Sequence, residues 1–338
     1  MSVLDKAMET TVGAVDRRFL LTAFLPTALF LALVTITVWP PSGQGGALAQ
    51  WQRQGGELRL VEAIAFVAVA LLGAALLAGV TGSLIRAYEG YWPGRLGAAV
   101  GAVGRRHHRV VLTRLGTHAD PGAYARIEAG YPFPSDPGQV MPTTLGNVLR
   151  NAELYPRYRY GLDAVLVWPR LFLLAPDRAL AGVAAARADL ELHLIVSFLS
   201  FLYALIAAAG GLLLGRPWWA FPLLFTVPMV VGWLSYRVAI TSARTYGNQV
   251  KAVFDLHRLD LLDRCAAELT GSEEERWHRL QEFWYRAVPA DVVTMPPAPM
   301  PAGEVRGERS VMRLSGWFAL AVALITLAGS LWLASRQV

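Results

Sequence analysis

Five charged residues near the middle of the chain have the types and the spacing to bind a phosphate group or a lipid headgroup. The segment YPRYRYG, residues 155–161, interleaves Arg157 and Arg159 with three tyrosines around a proline. Two arginines can hold a phosphate through charge-assisted hydrogen bonds. The alternative is a structural turn, in which the tyrosines pack and the arginines pair with nearby carboxylates. The charged residues that complete the set of ligand candidates are Glu153, Asp163 and Arg170.

The other reactive side chains indicate no catalytic residue, no metal site and no cofactor. Cys265 is the sole cysteine, which excludes an intramolecular disulfide and is typical of a small buried apolar residue rather than a nucleophile. The segment RRHHR, residues 105–109, is strongly basic, but adjacent histidines point to different faces of a helix or strand and therefore chelate poorly. His118 is too isolated to complete a site. We interpret the basic segment as a solvated or lipid-facing surface.

Four glycines precede this basic segment at helical spacing. Gly94, Gly97, Gly101 and Gly104 do not match the G-x-G-x-x-G or Walker patterns of nucleotide-binding loops. Their intervals of three and four residues place them on one side of a helix, which predicts a small-residue packing face.

These residues lie among five apolar segments, each close to the roughly 20 residues that a helix needs to cross a hydrocarbon core. The segments are continuous rather than alternating, which predicts helices, because a helix satisfies its own backbone hydrogen bonds in lipid. A cleaved signal peptide is the alternative for the first segment, but that segment is too long and the A-x-A pattern at 47–49 lies well beyond it. The fold class is therefore an α-helical integral membrane protein with about five spans, at residues 19–38, 63–84, 194–214, 218–236 and 314–334.

The arginine distribution predicts the topology. The stretch 85–190 contains 13 arginines, and the stretch 237–313 contains 10 arginines and Lys251, whereas the other connections contain few. By the positive-inside rule, both stretches face the cytoplasm. We expect a multi-pass protein of the inner (plasma) membrane, with the N-terminus cytoplasmic and the C-terminus outside. The basic residues at the span ends agree with this orientation, and they are Arg17, Arg18, Arg86, Arg187, Arg237 and Arg313.

The chain then divides into alternating membrane and cytoplasmic parts. We expect the two cytoplasmic parts to form one mainly helical domain built from two long loops. The prolines of 289–302 predict a tether to the fifth span. The membrane parts are 1–84 with spans one and two, 191–236 with spans three and four, and 314–338 with span five. The cytoplasmic parts are 85–190, which contains the segment 143–171, and 237–313.

Local patterns predict several cytoplasmic helices. One begins at Thr143 or Thr144, where a hydroxyl can cap the free N–H groups. The apolar stretch 162–176 is too short to span, so it is buried core, an interfacial helix or a re-entrant segment, with Pro169 at a kink or a boundary. The alanine-rich run that follows continues into span three as one long helix, and span four continues into the cytoplasm in the same way.

A capping box at 272–275 opens a further helix, which ends near residue 287. The spacing of its large side chains predicts a buried face. That face consists of Trp277, Leu280, Trp284 and Tyr285.

The net charge of +6 is unevenly placed. Residues 85–190 hold 13 basic and 8 acidic groups, whereas 237–313 hold 11 of each. An anionic inner leaflet attracts such a basic surface at about 1 kcal/mol per nearby basic residue. We therefore expect a lipid bilayer with an anionic inner leaflet as partner and no nucleic acid. The preference for arginine over lysine, 29 to 2, indicates a high-GC bacterial genome.

Four strings occur in order over most of residues 84–265: EGYWP, PTTLGNVLRNAE, RYGLDAVLVWPRL and YGNQVKAVFDLHRLDLL. In this combination the chain resembles a group of uncharacterised actinobacterial integral membrane proteins in which similar strings recur in the same order. The resemblance implies that 143–171 is the signature segment of that family. It implies no activity and transfers no functional residue.

Three functions fit these features. The first is a membrane-anchored, non-catalytic interaction or signalling module whose cytoplasmic domain binds a protein partner. The first alternative is an oligomeric channel or transporter. Charged residues inside the spans would mark an ion pathway, but the spans carry no charge in their interiors, and Glu62 lies only at the edge of span two. Gly211 and Gly215 form a G-x-x-x-G pattern that would support helix packing or a homo-oligomer. Hydroxyls that could line a pore are Thr35, Thr37, Thr81, Ser197 and Ser200.

The second alternative is a membrane enzyme acting on a lipid or phosphorylated substrate at the inner leaflet. It requires Glu153, Asp163 and the neighbouring arginines to converge in a cleft, because acid–base work depends on geometry. A module instead predicts that these groups are paired and lie beside an exposed apolar patch.

Overall fold

The computed structural model describes residues 18–38, 51, 54–117, 134, 136–213, 220–267 and 269–286, and all regular structure in these ranges is helical. A π-helical turn at Leu20–Phe24 leads into the first α-helix, and a 3₁₀ turn, Pro137–Gln139, precedes the fourth. The predicted all-helical class is confirmed for these residues. The helices are α1 (Leu25–Val38), α2 (Gly56–Glu89), α3 (Gly94–Thr117), α4 (Thr144–Tyr160), α5 (Ala164–Leu174), α6 (Asp177–Leu213), α7 (Ala220–Cys265) and α8 (Glu273–Arg286).

Four helical stretches are long and apolar enough to cross a membrane. They are Leu20–Thr37, Gly56–Glu89, Asp177–Gly210 and Pro222–Cys265. The first four expected spans overlap them, so the described chain has the helices of a multi-pass membrane protein. The expected fifth span at 314–334 and the tether at 289–302 lie outside the described residues. The identity of the membrane and the direction of the termini stay predictions.

The described residues form two compact units. The first unit contains the described residues within 18–85 and 191–239, and the second contains those within 86–190 and 240–286. α6 and α7 contribute residues to both, and each is one continuous helix, as the sequence predicts. The assignment of these units to membrane and cytoplasm stays a prediction.

Small and hydroxyl side chains pack the helices of the first unit. Val34, Tyr203 and Ala207 form a buried cluster, and the hydroxyl oxygens of Tyr203 and Thr37 lie 2.7 Å apart in a buried hydrogen bond. A Cβ added to Gly73 would lie only 3.2 Å from the methyl group of Thr27. Close approach through small residues is how helices associate in lipid, where hydrophobic burial offers little driving force.

Polar contacts at the ends of the apolar segments relate these segments to one another within the first unit. Arg18, just before the first segment, forms a 2.7 Å ion pair with Glu191, just before the third. The hydroxyl of Ser235, at the end of the fourth segment, donates to the carbonyl oxygen of His193 at 2.8 Å. The first and third segments therefore start, and the fourth ends, at the same end of the unit, as an alternating topology requires.

The core of the second unit is formed by α5, α6, α7 and α8. The ring of Trp168 lies against that of Phe254, with centroids 5.8 Å apart. Full burial of one such large apolar side chain is worth about 1.5–3 kcal/mol, so this cluster holds the unit together. Its most buried large members are Leu162, Val167, Leu171, Phe254, Leu261, Leu262, Trp277 and Leu280.

The predicted capping box at the start of α8 is confirmed. The backbone N–H of Ser272 donates to Glu275 Oε2 at 3.0 Å, and the N–H of Glu275 donates to Ser272 Oγ at 3.3 Å. These reciprocal bonds satisfy two free donors at the helix start. They account for the start of α8 at Glu273.

The predicted buried face of α8 is wrong at one residue. Trp277 and Leu280 are buried and Trp284 packs against the core, but Tyr285 is 73% exposed. Tyr285 lies eight residues after Trp277, about 80° around the helix, because each residue advances by about 100°. Gln281 takes the buried place instead and donates through Nε2 to the carbonyl oxygen of Gly161 at 3.2 Å.

The prediction that Cys265 is buried is also wrong. Its side chain is exposed at the last residue of α7. Leu261, Leu262 and Ala266 occupy the core-facing side of this stretch, which turns Cys265 away from the core.

Candidate functional site

The signature segment opens with a threonine that joins two helices. Thr143 is the N-cap of α4, and its Oγ1 accepts the backbone N–H of Gly146 at 2.9 Å. The single hydrogen of the same hydroxyl is shared between the carbonyl oxygens of Tyr88 and Glu89, at 2.8 and 3.0 Å. The predicted helix start and its hydroxyl cap are therefore confirmed, and the cap also ties α4 to the last turn of α2.

Asn147 makes the signature segment fold back on itself. Its side chain is fully buried. Its Nδ2 donates to the carbonyl oxygens of Met141 and Thr143 at 3.1 and 2.9 Å, and its Oδ1 accepts the N–H of Met141 at 2.8 Å. Both donors and the acceptor are satisfied inside the chain, so Asn147 serves the fold and offers nothing to a ligand.

The expected turn around Pro156 is wrong, because α4 continues through it to Tyr160. The helix ends at Gly161, whose left-handed backbone (φ 69°) returns its N–H to the carbonyl oxygen of Arg157 at 3.0 Å. A proline inside a helix lacks one hydrogen bond, and here its ring is buried. Arg157 and Arg159, two residues apart, point about 200° away from each other around the helix. They therefore do not form a joint phosphate clamp.

The other three candidates have separate local contacts. Glu153 pairs with Arg150 at 2.8 Å. Asp163 is the N-cap of α5 and accepts a backbone N–H of that helix at 2.8 Å. The guanidinium of Arg170 lies 4.2 Å from the ring centre of Trp284, a cation–π distance. Each of these three residues thus has its own neighbour, and the role of the five candidates as ligands of a headgroup stays a prediction.

A cluster that the sequence does not reveal joins α4 to α7. Asp255 accepts hydrogen bonds from the hydroxyls of Tyr155 at 3.0 Å and Tyr160 at 2.7 Å. Lys251 lies 5.2 Å from the ring centre of Tyr155, and Arg258 lies 4.0 Å from that of Tyr160. Partial burial, the hydrogen bond to Asp255 and the charge of that carboxylate raise the pKa of Tyr155 to about 12.

This cluster explains the tyrosines of YPRYRYG as packing groups. Only Tyr158 of the three points outward. The partners lie about 100 residues apart in the chain, so no local pattern could pair them. The one available signal is that Lys251 and Asp255 lie four residues apart, on one face of a helix.

α5 has one buried face and one exposed apolar face. Val167 and Leu171 are fully buried in the core, whereas Val165 is 69% and Leu173 is 83% exposed. The stretch 162–176 is therefore core on one side only. Pro169 lies on the exposed side of α5, and the helix continues through it to Leu174.

α3 packs through the predicted glycine face. A Cβ on Gly97 would lie 2.7 Å from the backbone of Trp92, and a Cβ on Gly104 would lie 2.5 Å from the carbonyl oxygen of Pro142. Both distances are too short for a side chain, so this packing face is confirmed at these two glycines. Gly94 differs, because it begins the helix with a positive φ of 80° and faces open space.

The basic segment 105–109 surrounds a buried histidine. His108 lies on the packed side of α3, and burial, together with the neighbouring charge of His107, lowers its pKa, while a hydrogen bond to the carbonyl of Pro142 acts in the opposite direction. Among the described residues, no group of three or more histidines, cysteines or carboxylates is placed to hold a metal ion. His118 lies outside the described residues.

The outer side of the basic segment 105–109 forms an open depression of about 630 Å³. It is lined by Ala102, Arg105, Arg106, Arg109, Val110 and Thr113.

Three of the five hydroxyls expected to line a pore bond to their own helices. Thr35, Thr37 and Thr81 each donate to the carbonyl oxygen four residues earlier, at 2.8, 2.8 and 2.9 Å. Such bonds let a hydroxyl reside in apolar surroundings at little cost. Thr37, Thr81 and Ser197 are buried between helices, where they serve packing.

No family model, no curated protein and no solved structure matches this chain. Its contacts and exposed faces therefore carry the functional argument.

Proposed function

We propose that this protein is a membrane-anchored interaction module whose second unit binds a protein partner through the exposed apolar face of α5. The supporting observation is the contrast between the two faces of that helix. Val167 and Leu171 are fully buried, whereas Val165, Phe172 and Leu173 are exposed. A second protein that covers this face gains free energy from apolar burial, which is the main driving force of association.

The chemistry of the face suits an apolar partner. Val165, Pro169, Phe172 and Leu173 follow one another at intervals of four, three and one, which places them on one side of α5. The only charged side chain within α5, Arg170, is drawn onto the ring of Trp284. We expect the partner to present aliphatic or aromatic side chains rather than a charged motif.

The place of α5 in the chain favours protein over lipid as the occupant. Asp177, where α6 begins, precedes Leu194, the first residue of the expected third span, by 17 residues of continuous helix. At about 1.5 Å per residue, this is about 25 Å of helix. The chain therefore has a long helical stretch between α5 and the expected span, which favours a protein over lipid as the occupant of the α5 face.

The contacts of the carboxylates support a module over an enzyme. A membrane enzyme would use Glu153 and Asp163 as a free acid and base. Here Glu153 pairs with Arg150, and Asp163 caps α5 through a backbone N–H. Asp163 therefore serves the start of the helix that presents the proposed binding face, and Glu153 is neutralised by a neighbour within α4.

Site-specific photo-crosslinking tests this proposal. A benzophenone amino acid replaces Leu173 in the full chain, and membranes of the native host are irradiated. The matched control carries the same group at Leu256, which is equally apolar and exposed but belongs to α7. We expect a discrete protein adduct from position 173 that is absent from position 256 and that disappears when Phe172→Asp is added.

Three results would count against the module. Adducts to lipid alone from position 173 would make the α5 face a membrane contact. Adducts to a second copy of the chain would make it a self-association surface, as an oligomeric channel would need. Equal adducts from both positions would mean that the α5 face has no specific partner.

A further inference from the structure

α3 has three distinct faces, and only one of them packs against other parts of the chain that the structure describes. The glycine face packs against Trp92 and Pro142, as Gly97 and Gly104 show. About a third of a turn further round the helix lies an apolar face, because residues 96, 100, 103 and 110 recur at intervals of four, three and seven. All four side chains are exposed, and Leu96 (84%) and Val103 (71%) are the most open.

The third face is basic. Arg105, Arg106 and Arg109 line the open depression on this side of the helix. The whole of α3 contains five arginines and no acidic residue. An uncovered apolar stripe beside an unbalanced row of arginines is the pattern of a helix that lies in a membrane interface, with its apolar side toward the acyl chains.

The chain leading into α3 supports the same partner. Gly94 follows Leu84, the last residue of the expected second span, by only ten residues. Three aromatic residues, Tyr88, Tyr91 and Trp92, occupy this connection. Trp92 donates its indole N–H to the carbonyl oxygen of Ala87 at 2.8 Å, and Tyr91 is exposed beside it. Amphipathic aromatic rings prefer the headgroup layer at the end of a span.

We propose that α3 lies on an anionic lipid surface, with Leu96, Val100 and Val103 in the boundary between headgroups and acyl chains. Arg106 and Arg109 then meet lipid phosphates through charge-assisted hydrogen bonds. The occupant of this face is lipid rather than protein, because the face is charged with a single sign and complements an anionic leaflet. The contact is independent of the protein partner proposed for α5.

Spin-label depth measurements on the full chain test this inference. In a Cys265→Ser background, Val103→Cys carries a nitroxide on the apolar face. The matched control, Ala98→Cys, carries it on an exposed position of the same helix, about 140° away. The protein is reconstituted into phosphatidylcholine vesicles with and without phosphatidylglycerol. Collisions of each label with oxygen, which concentrates in lipid, are compared with collisions with an aqueous nickel chelate.

We expect the oxygen-to-nickel collision ratio to be several-fold higher at position 103 than at position 98 in the anionic vesicles. The difference shrinks when Arg105, Arg106 and Arg109 are replaced together by glutamine, or when the anionic lipid is omitted. Equal nickel access at both positions would overturn the inference. So would a label at 103 that is shielded from both reagents, because a protein segment would then cover the face. The comparison of the two labels does not require the glutamine variant to fold.

Discussion

α3 and α5 are two amphipathic helices of the same unit that expose apolar faces of opposite chemical character. α5 buries large side chains, Val167 and Leu171, and its exposed face carries no free charge. α3 packs through glycines, and its exposed apolar face adjoins a row of arginines. An exposed apolar face therefore does not identify its partner by itself. Two further properties decide whether a protein or a lipid surface is expected: the charged residues around the face, and the distance of the helix along the chain from a span.

The difference in packing should appear first in stability. Leu171→Ala deletes a fully buried side chain from the core cluster. We expect the free energy of unfolding to fall by about 2–5 kcal/mol, since a cavity remains where the side chain was. Denaturation of the detergent-solubilised full chain, followed by tryptophan fluorescence, measures this loss. Leu173→Ala, on the exposed face of the same helix, is the control, and an equal loss there would mean that both faces of α5 are core.

The packing of α3 should instead be sensitive to added volume. Gly104→Ala places a Cβ 2.5 Å from the carbonyl oxygen of Pro142, and backbone must move to admit it. We expect a loss of about 1–3 kcal/mol in the same denaturation experiment. Gly101→Ala is the matched control, because the added Cβ meets only the flexible end of Arg105, at 3.2 Å. Alanine also has a higher helix propensity than glycine, which favours this variant. Similar behaviour of the two variants would contradict the glycine face.

α3 should also respond to pH through His108. Burial and the charge of His107 lower the pKa of His108 below 6.5, so the folded chain resists protonation more than the unfolded chain does. This contribution to stability is present above the unfolded value near 6.5 and is lost as the pH falls through the lowered folded pKa. We expect His108→Gln to flatten the fall of unfolding free energy on the acid side of pH 6.5. A variant with unchanged pH dependence would show that other groups cause it, and His107→Gln supplies the comparison.

Substitutions on the two exposed apolar faces should change stability least and binding most. Leu173→Asp and Val103→Asp both alter exposed side chains, so each should change the free energy of unfolding by less than about 0.5 kcal/mol. We expect Leu173→Asp to remove the protein adduct while leaving the depth of α3 unchanged, and Val103→Asp to do the reverse. A variant that affects both readouts would show that the two faces act together.

Local sequence predicted the elements whose cause is local. The cap at Thr143, the capping box at 272–275 and the apolar spans depend on neighbours within a few residues or on a continuous composition, and the structure has them. The wrong predictions concern residues whose position depends on contacts with distant parts of the chain. Pro156 stays inside α4 because its ring is buried, and Tyr285 loses its place to Gln281 because that amide reaches Gly161.

The candidate site shows the same division. The sequence identifies Glu153, Arg157, Arg159, Asp163 and Arg170 as charged and clustered in the chain. It does not show that a helix turns Arg157 and Arg159 to opposite sides. The tyrosine cluster on Asp255 is not visible at all in the sequence, because its members lie about 100 residues apart.

By itself the sequence determined the helical class, the apolar segments long enough to cross a membrane, and the excess of arginine that predicts their orientation. These properties follow from composition and periodicity, which act over one or two helix turns or along one span. Only the tertiary structure decided which face of each amphipathic helix is used. Val167 and Leu171 meet Phe254 and Trp277 in one core, and this contact, between residues far apart in the chain, leaves Leu173 exposed. Burial is a property of the whole unit, since a helix alone cannot determine which of its apolar faces finds a partner.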